Sequence, residues 1–119
     1  MLEKNFWKRL RATLPIGAFC CRIEAGYSTP GTPDVWVCLN GVHAWVELKV
    51  ARGTRVLLTP QQVIWHRTCA KADGRSWVVV GSKDLIYLWP GTEADGARDR
   101  GIATGRIVND PWDIILRGN

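Results

Sequence analysis

The chain of 119 residues has no long apolar run, and no stretch approaches the ~20 residues needed to cross a membrane. Its four cysteines have neither C-x-x-C spacing nor a regular framework. Adjacent Cys20 and Cys21 would point to opposite faces of a strand, which argues against a shared zinc ion. The first residues, MLEKNFWKRLRATL, lack the layout of a signal peptide. These absences predict free thiols in a reducing cytoplasm and no membrane partner.

The composition is typical of a soluble globular protein, with 46% hydrophobic and 23% charged residues. The length predicts one domain, residues 1–119, with a single hydrophobic core. A net charge of +5 permits nucleic-acid binding but is weak evidence for it. The basic residues fall into two groups along the chain: Lys4, Lys8, Arg9 and Arg11, then Lys49, Arg52 and Arg55.

The most informative stretch is 34–50, DVWVCLNGVHAWVELKV, which predicts a β-hairpin. Its Asn-Gly pair at 40–41 is a strong signal for a type I′ turn, which needs positive φ at both central positions. With that turn, Asp34 falls opposite Glu47, and Lys49 lies on the same face. The other face of the hairpin is entirely aliphatic.

Two carboxylates placed opposite each other on a sheet are destabilising, because their Cβ atoms lie only ~4.5–5.5 Å apart. They must share a proton, take a basic partner or hold a metal ion. An ordinary surface ion pair with Lys49 is one interpretation. A divalent-metal site with Lys49 beside it is the other, and the residues alone leave both open.

Before the hairpin, the pattern predicts an amphipathic helix over residues 2–14 and a strand over 18–25. Glu3 falls within the apolar arc of the helix. It is either an ordinary first-turn acid, favoured by the helix dipole, or a carboxylate that reaches the acidic end of the hairpin. In the strand and the loop that follows it, Glu24 and Ser28 are secondary site candidates.

After a basic loop at 51–58, Thr59-Pro60-Gln61-Gln62 predicts a helix start with a capping box, which by itself explains Gln62. The helix should run to about residue 73. We expect its inward side to comprise Ile64, Trp65, Thr68, Cys69 and Ala72. A strand is predicted at 76–81, buried on both faces and parallel to its neighbour. A further strand is predicted at 85–89.

From residue 90 the signal weakens. It predicts a loop with one short helix, a strand-like 107–108, and a final helix that starts at an Asp110 N-cap. The fold class is therefore α/β, a mixed central sheet flanked by helices in the order α-β-β-β-α-β-β. His43 and His66 are interpreted as ordinary packed or solvent-facing residues.

Three segments together resemble the PD-(D/E)XK nuclease superfamily: Thr32-Pro33-Asp34, Glu47-Leu48-Lys49 and Leu58-Thr59-Pro60-Gln61-Gln62. The layout is similar to that of small stand-alone virus-type replication–repair (VRR-NUC) nucleases, and to archaeal Holliday-junction resolvases. The resemblance implies a restriction-endonuclease-like core at residues 3–89, with a C-terminal extension at 90–119.

The resemblance also implies roles for particular residues. The metal ligands would be Glu3, Asp34, Glu47 and the Leu48 carbonyl. The catalytic set would be Asp34, Glu47, Lys49 and Gln62, with Mg²⁺ as cofactor and Mn²⁺ as a substitute. The residues expected to contact DNA are Lys8, Arg9, Ser28, Arg52 and Arg55, although each basic residue is equally explained as a solvated surface charge.

The leading hypothesis is a Mg²⁺-dependent endonuclease that recognises branched DNA, a junction or a flap, in the DNA repair, recombination or replication of a phage or bacterium. Restriction-type or exonucleolytic action remains open. The alternative is a DNA-binding protein on a nuclease fold that does not cut. A homodimer would suit a two-fold substrate, with Trp112 or Leu116 either at its interface or capping the core.

Overall fold

The structure is a computed structural model that describes residues 1–23 and 30–117. Glu24 and Ser28 therefore lie outside the described residues. The helices and strands are α1 Glu3–Ala12, β1 Phe19–Arg22, β2 Val35–Leu39, β3 Val42–Val50, α2 Pro60–Lys71, β4 Ser76–Ser82, β5 Leu85–Pro90, α3 Ala94–Arg100, β6 Arg106–Val108 and α4 Pro111–Ile115. Short 3-10 turns at Gly91–Glu93 and Gly101–Thr104 flank α3.

The strands form one six-stranded sheet in sequence order, β1 to β6. Among the described strands, the β3–β4 pair is parallel, because α2 crosses between those strands, and the other four pairs are antiparallel. The predicted hairpin has the expected register, with Leu39 paired to Val42 and Val35 to Val46. Its turn residues have φ of 52° and 82°, as a type I′ turn requires. The mixed α/β sheet predicted from the sequence is confirmed.

Hydrophobic residues pack on both faces of the sheet. The aliphatic face of the hairpin packs against α1 and α4, and its core includes Phe6, Leu10, Val35, Val37, Val46 and Leu48. The opposite face packs against α2 and α3, with Val63, Val78, Val80, Trp89 and Ala97 at its centre. Within the described ranges, no helix is both long enough and apolar enough to span a membrane.

The C-terminal segment contributes to both cores. Trp112 and Ile115 are fully buried, and the indole Nε1 of Trp112 donates a hydrogen bond of 2.9 Å to the Leu10 carbonyl of α1. The predicted Asp110 cap is present, because its side chain accepts a hydrogen bond from the Trp112 N–H at 3.0 Å. Trp112 therefore caps the core, which was one of its two predicted fates.

The predicted inward side of α2 is wrong. Val63 and His66 are the buried residues of this helix, whereas Ile64 is 56% exposed. Apolar residues occur on both sides of α2, so the pattern alone did not identify the side that faces the sheet. The predicted side instead forms the wall of an open groove, described below.

The basic loop at 51–58 is held in place by three features. Val56 and Leu58 are buried, and the backbones of Arg52 and Arg55 exchange two hydrogen bonds of 2.9 Å. The Ile102 N–H, from the C-terminal segment, donates to the Thr54 carbonyl at 2.9 Å. The loop is thus anchored to two separate parts of the chain.

Candidate active site

Asp34 lies immediately before β2 and is held from two sides. Its backbone carbonyl accepts a hydrogen bond of 2.8 Å from the Ile23 N–H, next to β1. Its Oδ2 accepts another of 2.8 Å from the Leu48 N–H of β3. The first bond fixes the backbone of Asp34, and the second fixes its carboxylate against β3, beside Glu47, as the hairpin register predicts.

Glu47 is completely buried, which is unusual for a carboxyl group. Burial raises its pKa to about 10, and a side-chain hydrogen bond with Asp34 and the charge of Asp34 act in the same direction. The charge of Lys49 opposes the shift. The Oε1 atom of Glu47 is buried and has no hydrogen-bond partner among residues 1–23 and 30–117. A second carboxyl group held beside a buried one, together with the unpaired Oε1, indicates a site built for a cation.

Gln62 belongs both to the helix cap and to this site. Its side-chain Oε1 accepts a hydrogen bond of 2.9 Å from the backbone N–H of Thr59, and its backbone N–H donates to Thr59 Oγ1 at 3.1 Å. Because the cap fixes Oε1, the amide nitrogen points toward Glu47 and lies 3.5 Å from its Oε2. The structural and the functional interpretations of Gln62 are therefore compatible.

His66 contacts Glu47, which sequence reasoning did not foresee. It lies one helical turn after Gln62 and is completely buried. Its Nε2 is 3.7 Å from Glu47 Oε1, and its Nδ1 is 2.8 Å from Ser76 Oγ. Burial lowers the pKa of His66 to about 4, although the charge of Asp34 opposes the shift. The sequence did contain a signal for this contact: His66 is four residues after Gln62, so the two side chains share one face of α2.

Lys49 and Glu3 complete the acidic end of the hairpin. Lys49 is half-buried on the same face of β3 as Glu47. Glu3, in the first turn of α1, is exposed. Although the residue as a whole is exposed, partial desolvation of its carboxyl group and the nearby charge of Asp34 raise the pKa of Glu3, whereas Lys49 and Arg22 lower it. The Glu3 side chain is thus electrostatically coupled to the site.

The backbone of Leu48 also faces this site. In a β-strand, the N–H and the C=O of one residue point to the same side. Since the Leu48 N–H donates to Asp34, its carbonyl is directed to that side as well. The β2 strand begins at Val35, paired with Val46, so it does not extend to a partner for Leu48.

The donor set fits a hard divalent cation. Across residues 1–23 and 30–117, no three side chains of His, Cys, Asp or Glu form a ready-made metal cluster. Magnesium, however, typically takes one or two carboxylates, with water and substrate phosphate completing its coordination. Asp34, Glu47 and the Leu48 carbonyl provide oxygen donors of that kind. The fit rests on the unpaired Glu47 Oε1 and on the Asp34 carboxylate that the Leu48 N–H holds next to Glu47.

The predicted DNA-contacting residues within the described ranges are on the surface. Lys8, Arg9, Arg52 and Arg55 are all exposed. Arg9 donates a hydrogen bond of 3.3 Å to the Asp84 carbonyl, which restricts its reach. The other predicted residue, Ser28, lies outside those ranges.

Beside the site, an apolar groove of about 460 Å³ runs along α2. Its lining includes Trp45 on the sheet and Ile64 and Trp65 on the helix. The Trp45 and Trp65 rings meet edge to face, with centroids 5.5 Å apart. The same sheet face continues to the exposed Phe19, whose ring contacts Trp36 with centroids 6.0 Å apart.

No protein-family model matches this chain, and no curated protein sequence matches it. Among solved structures, it is similar to Hjc, a Holliday junction resolvase from the archaeal hyperthermophile Archaeoglobus fulgidus. The TM-score is 0.63 at 12% sequence identity, and the match covers 96% of this chain and 98% of the resolvase chain. The likeness establishes the fold: this chain is a single α/β domain with the restriction-endonuclease-like architecture of that resolvase.

Proposed function

We propose that this protein is a metal-dependent endonuclease that hydrolyses DNA phosphodiester bonds. One observation carries the proposal: on a resolvase-like fold, the Leu48 N–H holds the Asp34 carboxylate next to the buried Glu47, with Lys49 on the same strand face as Glu47. Asp34, Glu47 and the Leu48 carbonyl would hold Mg²⁺ or Mn²⁺, and Glu3 would add a further carboxylate. Because of its motif layout, we continue to compare the chain with the VRR-NUC nucleases.

A phosphodiester is an anion with a poor leaving group, so its hydrolysis needs charge neutralisation and an activated water. A bound divalent ion supplies both, because it lowers the pKa of its water and offsets negative charge on phosphorus. Lys49 then acts as a compact positive charge that orients the attacking water or stabilises the phosphate oxygens in the transition state. Gln62 holds Oε2 of Glu47 and thereby orients that carboxylate.

The proposed substrate is branched DNA, such as a four-way junction or a flap. The similar resolvase is described as acting on Holliday junctions. Lys8, Arg9, Arg52 and Arg55 would contact backbone phosphates, which would make affinity salt-sensitive and nearly independent of sequence. The wider role would be DNA repair, recombination or replication in the cytoplasm of a bacterium or of a phage-infected host.

A cleavage panel tests this function. Four-way junction, flap, single strand and linear duplex are incubated with the protein in Mg²⁺, in Mn²⁺ and in EDTA. We expect metal-dependent cleavage of the branched substrates, and a loss greater than ~100-fold in Asp34→Asn, which removes a ligand charge at constant shape and with it several kcal/mol of metal stabilisation. Asp113→Asn, at an exposed acid on α4, is the matched control and should cleave normally.

The same panel distinguishes the non-catalytic alternative. Binding to branched DNA without turnover in either metal would favour a DNA-binding protein on a nuclease fold. Full activity of Asp34→Asn would contradict the proposed site even if the protein cuts DNA.

We include a homodimer in the proposal. A chain with one carboxylate site needs a second copy to cut two strands of a two-fold junction. Exposed or half-exposed apolar side chains gather on the sheet face and groove next to the site: Phe19, Trp36, Trp45, Ile64 and Trp65. The core of a protein interface is typically aromatic and poor in charge, as this patch is, whereas a phosphate-binding surface needs interleaved lysine and arginine.

A further inference from the structure

The strongest unexplained feature of the site is the buried chain of side chains from Glu47 through His66 to Ser76. Glu47 and His66 are completely buried, and Ser76 is 6% exposed. Within the part of the chain that the structure describes, Glu47 Oε1 and His66 Nε2 are both buried without a hydrogen-bond partner, and they lie 3.7 Å apart. A buried polar atom without a partner is costly, so two such atoms that face each other require an explanation.

The tautomer of His66 depends on its contact with Ser76, whose hydroxyl is able either to donate or to accept. The Ser76 hydroxyl lies 2.8 Å from His66 Nδ1. If that hydroxyl donates its hydrogen to Nδ1, the neutral imidazole carries its proton on Nε2, the nitrogen that faces Glu47. An N–H is the group that a carboxylate oxygen needs opposite it, whereas the other tautomer would set a lone pair against Oε1.

His66 and Gln62 act on the two oxygens of the same carboxylate. Gln62 Nε2 lies 3.5 Å from Oε2, and His66 Nε2 lies 3.7 Å from Oε1. The two donors are four residues apart on α2, and such residues share one face of a helix. A carboxylate has about four acceptor positions, so both oxygens keep capacity for a cation.

We propose that His66, with its proton held on Nε2 by Ser76, is a positioning residue that orients Glu47 for metal binding. The inference rests on the proposed function, because it concerns the ion that Glu47 is proposed to hold. Outer partners of this kind orient metal ligands, and their loss typically costs ~10–100-fold in metal affinity.

Gly91 connects the His66–Ser76 pair to the C-terminal segment. A Cβ atom at residue 91 would overlap Ser76 Oγ and lie 3.1 Å from His66 Nδ1. The space that a side chain would need is therefore taken by the His66–Ser76 pair. Gly91, which follows the predicted core, thus closes the far side of the His66–Ser76 pair.

The first test measures metal binding without DNA, by calorimetric titration of the intact protein with MnCl₂. His66→Ala should bind Mn²⁺ ~10–100-fold more weakly than wild type. His66→Gln should recover most of the affinity, because its amide nitrogen occupies the position of Nε2. His43→Ala, at an exposed histidine on the same sheet face, is the matched control and should bind like wild type.

The second test detects the tautomer directly. Long-range ¹H–¹⁵N NMR spectra of the protein in Mg²⁺ should show His66 as the Nε2–H form, and Ser76→Ala should change the tautomer population. Gly91→Ala should weaken Mn²⁺ binding by displacing the pair. These two variants keep the proposal testable even if His66→Ala does not fold, which thermal melting in EDTA would reveal.

The outcomes separate this inference from the proposed function. If wild-type protein shows no Mn²⁺ binding that depends on Asp34, the proposed function fails and the inference fails with it. If wild type binds Mn²⁺ through Asp34 but folded His66→Ala binds it equally well, only the role of His66 is overturned. An Nδ1–H tautomer in Mg²⁺ would also overturn it.

Discussion

The amide nitrogen of Gln62 lies 3.5 Å from Oε2 of Glu47, while the oxygen of the same amide caps the helix that carries it. A single side chain therefore links the start of α2 to the buried acid on β3. Because the cap fixes the amide plane, the direction of the nitrogen is set by local helix chemistry. The capping motif, readable from sequence, thus specifies part of the site geometry.

Replacement of Gln62 by Ala should reduce both stability and Mn²⁺ affinity, since both ends of the amide are lost. We expect ~10-fold or greater weakening of Mn²⁺ binding. Thr59→Ala is the matched control: it removes only the hydroxyl cap, so it should cost about 1 kcal/mol of unfolding free energy and leave metal affinity unchanged. Chemical denaturation and calorimetric titration measure the two effects. Equal metal affinity in both variants would contradict a role for Gln62 at Glu47.

The stability of the metal-free protein should fall as pH rises above 7. Burial raises the pKa of Glu47 from an ordinary 4.5 to about 10, so over that range the folded state holds a proton that the unfolded state has released. Burial also lowers the pKa of His66 from 6.5 to about 4, which acts with the opposite sign and offsets the Glu47 effect below pH 6.5. Thermal melts in EDTA between pH 7 and 9 measure the slope, and Glu47→Gln should flatten it.

Metal should reverse this trend, because ligand carboxylates bind a cation only after losing their proton. The rise in melting temperature produced by Mg²⁺ or Mn²⁺ should therefore grow with pH and be absent in Glu47→Gln. A metal effect that is constant across pH would show that the ion does not compete with the Glu47 proton.

Lys49→Ala should separate chemistry from binding. Lys49 is half-buried beside Glu47, and its charge lowers the pKa of that acid. Loss of a group that stabilises transition-state charge typically costs ~10²–10³-fold in rate, whereas ground-state DNA affinity should change little. Single-turnover cleavage and fluorescence anisotropy measure the two quantities. Lys71→Ala, at an exposed lysine of α2, should leave both unchanged, and cleavage by Lys49→Ala at the wild-type rate would remove Lys49 from the catalytic set.

The groove along α2 predicts the behaviour of a dimer. Ile64 is 56% exposed in this groove, and a charge there should oppose packing of a second copy. Analytical ultracentrifugation should show a dimer for wild type and a shift to monomer for Ile64→Asp. Ile107→Asp is the matched control, because Ile107 is 57% exposed on β6, at the other end of the sheet. A wild-type monomer, or a dimer insensitive to Ile64→Asp, would contradict this surface.

The hairpin and the start of α2 were predictable because their signals are local. An Asn-Gly turn with alternating apolar residues defines the β2–β3 register, and this register places Asp34 opposite Glu47. The side of α2 that faces the sheet was not predictable, because Val63 lies inside while Ile64 is exposed, and both are apolar. A buried histidine such as His66 interrupts the apolar periodicity on which such a prediction depends.

The C-terminal segment shows the other limit of sequence reasoning. Trp112 donates its hydrogen bond to Leu10, 102 residues earlier in the chain. No local pattern encodes a contact over that distance, although the Asp110 cap of the same helix was recognised. Helix ends are set by neighbours in sequence, whereas the docking site of a helix is set by the whole fold.

The anchoring of the loop at 51–58 has a consequence for the proposed phosphate contacts. Arg52 and Arg55 extend from a backbone that is tied to itself and, through Thr54, to Ile102. Their side chains therefore start from backbone atoms at a fixed mutual spacing, and the loop loses little backbone entropy when a partner is engaged. Such a preorganised pair would distinguish one backbone trajectory from another, so it would respond to the bend of a nucleic acid more than to its bases.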